Sequence, residues 1–142
     1  HYAAENGNFD ICQLIVGINV NKGKLNNSRD LEGNTPVHMA AKNGHLSVCE
    51  LLIGLKENAD NAFSANIQNS NGITPLHMAA RNGHLDVCRF LIQSRAEKNL
   101  RNIYEQSPLN LAAEQRHLKV VVLLIENLAK ENSDWMDALE TV

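Results

Sequence analysis

The chain has 142 residues, a formal net charge of −3 and 20% charged residues. That balance gives no basic footprint for duplex nucleic acid and no cationic face for an anionic membrane surface. No apolar run approaches the roughly 20 residues of a membrane-spanning helix, so neither nucleic-acid binding nor direct membrane contact is expected.

In chain order, His1-Tyr2-Ala3-Ala4-Glu5-Asn6-Gly7-Asn8-Phe9-Asp10-Ile11-Cys12 opens the sequence. It predicts a helix over Tyr2–Asn6, ended by Gly7, and a second over Phe9–Val16. Asp30-Leu31-Glu32-Gly33 has turn chemistry. Thr35 is a good N-cap, with Pro36 at the first helical position, where its missing N–H costs nothing. A helix over Pro36–Asn43 follows, Gly44 ends it with the left-handed conformation common past a helix end, and Leu46–Leu55 forms the next helix. The same order returns with the turn Asn69-Ser70-Asn71-Gly72, the cap Thr74, and helices over Pro75–Asn82 and Leu85–Ser94. It returns again with Ser107, Pro108–Gln115 and Leu118–Asn127. No strand of ordinary length fits between these elements. The tail places Trp135, Met136, Ala138, Leu139 and Val142 on one face of a further short helix, with Ser133 or Asp134 as its cap.

The recurrence is close. Residues 35–53 and 74–92 agree at 14 of 19 positions. The column His1, His38, His77 and Asn110 recurs at steps of 37, 39 and 33, and such self-similarity marks a solenoid of stacked units. The runs Thr35-Pro36-Val37-His38-Met39-Ala40-Ala41 and Thr74-Pro75-Leu76-His77-Met78-Ala79-Ala80, each followed by Gly-His, resemble the ankyrin repeat. The resemblance implies an all-α ankyrin-repeat solenoid of about four helix-turn-helix units joined by fingers. It covers nearly the whole chain, and 1–142 is expected to be a single domain with repeat 1 truncated at its start; the apolar spacing of 133–142 makes it a candidate C-terminal cap. Repeat 1 lacks a Thr-Pro start, so the natural chain is expected to begin earlier.

The titratable residues fall into columns. Cys12, Cys49 and Cys88 each stand five residues after the repeat glycine, and Val121 takes that place in the fourth unit. A residue that exchanges with valine is packing as a small hydrophobe. Equivalent helices about 8–10 Å apart would hold these sulfurs too far apart for a shared zinc or a disulfide. Free thiols imply a reducing compartment, cytoplasm or nucleus. All six histidines fall into two repeat columns: His1, His38 and His77, then His45, His84 and His117. The resemblance implies that the signature histidine bonds near the cap and to the adjoining finger. No phosphate loop, zinc-ligand spacing or nucleophile elbow occurs, so no enzyme activity, metal or other cofactor is expected.

Departures from the pattern mark the fourth unit as an edge. Glu105 stands where earlier fingers have Gly33 and Gly72, so that turn must change or accept strain. Arg116 replaces the repeat glycine and Asn110 the signature histidine. The column Gln13, Glu50, Arg89 becomes Val122, which the tail is expected to cover unless it starts another, degenerate repeat. Extra residues at Gly17–Asn27 and Gly54–Ala65 read as surface insertions or, through Phe63 or Lys22-Gly23-Lys24, as accessory contacts.

The function implied is that of an interaction module docking a partner protein or peptide on its concave surface. The alternative is a structural scaffold segment of a larger enzyme, channel or effector protein. Carried over residue by residue, the finger positions are Leu31, Glu32, Asn34, Ser70, Asn71, Ile73, Ile103, Tyr104 and Gln106. The first-helix positions are Lys42, Asn43, Arg81, Asn82, Glu114 and Gln115, with Glu5 and Asn6 in the truncated unit. Ile73, Ile103 and Tyr104 supply the aromatic and apolar make-up of a hot spot. A monomeric domain is expected.

Overall fold

The computed structural model describes residues 1–8, 10, 12, 29–54 and 65–140, with the backbone alone for 133–140. Its helices are α1 Tyr2–Glu5, α2 Pro36–Lys42, α3 Leu46–Gly54, α4 Pro75–Arg81, α5 Leu85–Gln93, α6 Pro108–Glu114 and α7 Leu118–Glu140. The described residues contain no strand, and the fold is the all-α solenoid expected. The helices over Phe9–Val16 and both inserted loops, with Phe63, Lys22 and Lys24, lie wholly or largely outside the described residues.

Short and long helices form two rows. The first helices α1, α2, α4 and α6 pack in succession, the second helices α3, α5 and α7 do the same, and α2 packs on α3, α4 on α5 and α6 on α7. Small side chains allow the close approach within the first row: Ala40, Ala41, Ala79, Ala80 and Ala112 are fully buried. Between the rows lie Val37, Leu76, Val48, Val87, Val120, Leu91 and Leu124. Each large side chain among them stabilises the array by about 1.5–3 kcal/mol.

The cysteine column belongs to this core. Cys12, Cys49 and Cys88 are buried free thiols. Burial pushes all three thiol pKa values up, Cys49 and Cys88 to about 12. Thiolate, the reactive form, is therefore scarce at neutral pH. Cys49 and Cys88 should react with a thiol reagent only at the rate at which the array opens. Rapid labelling of both in the native protein would remove them from the core.

One expectation about the tail is overturned. Residues 133–140 do not start a new helix capped by Ser133 or Asp134; they continue α7 without a break. Nothing in Asn127–Asn132 stops a helix: the stretch has no glycine or proline. A continuous helix cannot fold its own end back over Val122, which stays 53% exposed.

Candidate functional site

The fingers are built by one side chain each. Asp30 Oδ1 accepts the backbone N–H of Glu32 and Asn34 at 2.9 and 2.8 Å. Asn69 Oδ1 does the same for Asn71 and Ile73, both at 2.9 Å, and Asn102 Oδ1 for Tyr104 and Gln106 at 2.9 and 3.0 Å. Burial pushes the Asp30 carboxyl up, but the hydrogen bonds from Asn34 and Glu32 outweigh it and hold the pKa below the usual value. Neighbouring fingers join through Ser70 N–H to Glu32 O at 3.1 Å and Ile103 N–H to Asn71 O at 3.0 Å.

The histidines then fasten each finger to a helix. The Thr35 backbone N–H donates to His38 Nδ1 at 3.1 Å, and Thr35 Oγ1 lies 2.9 Å from the same nitrogen. A backbone N–H can only donate, so Nδ1 is the acceptor and Nε2 carries the proton. Nε2 donates to Ile73 O on the next finger at 2.9 Å. His77 repeats this with Thr74 and with Gln106 O, and His1 Nε2 reaches Asn34 O at 2.7 Å. These are the cap-and-finger bonds the resemblance implied. The second histidine column points the other way: His45, His84 and His117 donate from Nε2 to Glu5 O, Lys42 O and Arg81 O of the preceding unit, at 2.8–3.0 Å.

This frame holds open a cleft of about 530 Å³ between the fingers and the first helices. Of the residues expected at a partner surface, Glu32, Lys42, Asn71, Ile73, Arg81, Asn82, Tyr104 and Gln106 line it. Lys42 and Arg81 are exposed, and among the described residues neither makes an ion pair. Ile73 is half-buried, whereas Tyr104 is 65% exposed.

The other expected residues stand outside the lining. Leu31, Ser70 and Ile103 are exposed finger residues, and Asn43 and Gln115 are exposed C-caps. Glu114 accepts Gln106 Nε2 at 3.3 Å. Asn34 is buried at 3% exposure, with Nδ2 on Asp30 and Glu32 and Oδ1 accepting Asn69 Nδ2 at 2.8 Å. Its side chain is spent inside the finger stack. Sequence reasoning missed Met78 and Leu111 in the cleft wall. Met78 lies three residues before Arg81, and that helical spacing is the signal that places both on one face.

A family model described as ankyrin repeats (3 copies) matches residues 1–102 and, overlapping, 55–135. The chain belongs to the ankyrin-repeat family. Its two matches together span the four units read from the sequence. Ankyrin repeats are generally protein–protein interaction modules and typically non-catalytic. Comparison with curated proteins finds no match. No helix among the described residues is long and apolar enough to cross a membrane.

Proposed function

We propose that this ankyrin array docks a protein or peptide in the cleft between its fingers and first helices, through an acidic side chain set beside an apolar one. The observation that carries the reading is the lining: Lys42 and Arg81, on adjacent units and without an ion pair among the described residues, face a space whose finger wall holds Ile73 and Tyr104. Stacked helices about 8–10 Å apart put the two cations within roughly one Debye length of each other. They therefore attract one carboxylate jointly. Tyr104 offers a large aromatic surface with a polar tip, the kind of anchor that dominates interface energetics.

Selection of binders from a random peptide display library tests this. Enriched sequences should combine Asp or Glu with a large apolar residue. Reversing both charges, Lys42→Glu with Arg81→Glu, should slow association and weaken its salt dependence, because exposed charges act mainly on the on-rate. Tyr104→Ala should raise the off-rate instead. Binders that tolerate all three substitutions would move the docking surface away from this cleft.

A further inference from the structure

We propose that α7 pairs with α7 of a second copy of this chain, antiparallel, along the stripe Leu118, Val122, Ile125 and Ala129. These residues follow a 4-3-4 spacing that keeps them on one helix face. All four are exposed, the first three at 71, 53 and 51%. The opposite side of α7 is occupied: Val120 and Leu124 are in the core, and Lys98 forms an ion pair with Glu131. The helix thus cannot roll to hide the stripe.

A further ankyrin unit would half-bury Leu118 and Ile125, as their equivalents Leu46, Leu85, Ile53 and Ile92 are half-buried in stacked units, but it is not the cover for Val122. Glu50 and Arg89, the equivalents of Val122, stay exposed in units that do have a neighbour stacked on them. Stacking another unit would leave Val122 in water. Arg116 also obstructs such a unit. At the equivalent Gly7, Gly44 and Gly83 a Cβ would lie 2.5–2.6 Å from Nδ1 of the next unit's histidine, and Arg116 places a real Cβ there at the same positive φ of 61°.

The stripe is complementary to itself. In an antiparallel pair centred between Val122 and Ile125, Leu118 faces the partner's Ala129, and Val122 faces the partner's Ile125. Large residues meet small ones at the ends, with β-branched pairs in the middle. Lys119 and Glu126, two helical turns apart and both exposed, flank the stripe on one side. Neither makes an ion pair among the described residues. The two-fold axis sets Lys119 against the partner's Glu126 and Glu126 against the partner's Lys119. A parallel pair would instead set this flank against the partner's other flank, where Val121 and Leu128 lie, and the charges would find no opposite charge. An isologous contact of this kind closes on itself and stops at two copies. Three large side chains per copy fall short of the roughly 1,000 Å² of a stable interface, so the pairing is weak and depends on concentration. Such pairing departs from the monomer expected from the sequence.

Sedimentation velocity on the 142-residue chain, from about 5 to 500 µM (the range for weak contacts), tests the pairing. The expected result is a shift from monomer toward dimer as concentration rises. Val122→Glu should abolish the shift while leaving the helical signal and denaturation midpoint in place. Lys119→Glu or Glu126→Lys alone should each weaken the dimer roughly tenfold, since two pairs turn repulsive at once. The double reversal Lys119→Glu with Glu126→Lys should restore it. A monomer at every concentration overturns the proposal, as does a dimer indifferent to Val122→Glu. Failure of the double reversal to restore pairing overturns the antiparallel arrangement.

Discussion

Gly44→Ala is expected to destabilise the array by about 2–5 kcal/mol, read as a lowered urea midpoint. Two separate effects add. Gly44 has a φ of 76°, where an L-residue costs roughly 1–2 kcal/mol. The added methyl would also lie 2.5 Å from His84 Nδ1, and overpacking of a filled site costs about 1–3 kcal/mol. The ring cannot simply withdraw, because Nε2 holds Lys42 O at 2.9 Å. His84→Ala should therefore rescue part of the loss, so that the double variant is more stable than the two single losses predict by addition. A midpoint shift worth less than about 0.5 kcal/mol, the usual size for a surface change, would show that the slot is not restrictive.

The same slot should respond oppositely at the last unit. Arg116 keeps a φ of 61°, and no histidine of a following unit stands over it among the described residues. Arg116→Gly removes only backbone strain, offset by glycine's greater freedom when unfolded. The change should be neutral or stabilising by less than about 1 kcal/mol. Glu105 makes the parallel case in the fingers. Its φ of 59° matches Gly33 and Gly72, so the turn accepts strain rather than changing type. A Cβ on Gly33 would strike Ser70 Oγ at 2.5 Å, whereas the last finger has no described successor to strike.

These glycines show what kind of information the sequence carries. Units, caps, helix ends and the cysteine core were legible because each rests on local chemistry repeated at a fixed spacing. The straight run of α7 was not: Trp135, Met136 and Leu139 are spaced as readily along a continued helix as along a new one. Asn34 misled for a related reason. The resemblance places its position on the finger, but only the stacked structure shows Asn69 Nδ2 taking up its Oδ1. Met78 and Leu111 were overlooked because an apolar residue beside the signature reads as core. They become cleft wall only when the fingers stand away from the helices.

Stability should fall steadily as pH drops from 6.5 to about 4, before the ordinary carboxylate range is reached. His38 is fully buried, and desolvation lowers its pKa from 6.5 to about 4; His77, also buried, is lowered by the same cause. The unfolded chain takes up protons at 6.5, while the folded chain resists until far lower pH. Each pH unit through that window therefore removes up to about 1.4 kcal/mol for His38. His77 adds to the fall. The structural reason is the tautomer: a protonated Nδ1 would point a donor at the Thr35 backbone N–H, which is itself a donor. Asp30 acts in a different window. Its lowered pKa gives stability that is present above 3.8 and is lost only below it. His38→Asn separates the contributions, because Asn110 already shows what that side chain does at this position. Its Oδ1 accepts both the backbone N–H and the hydroxyl of Ser107 at 2.9 Å. The variant should keep the cap but lose the bond to Ile73 O, costing about 1 kcal/mol at pH 7.5. It should also have a shallower acid slope, so that variant and parent converge toward pH 4. Urea midpoints measured at half-unit pH steps give the comparison. Equal slopes for parent and variant between pH 6.5 and 4 would assign the acid sensitivity to other groups.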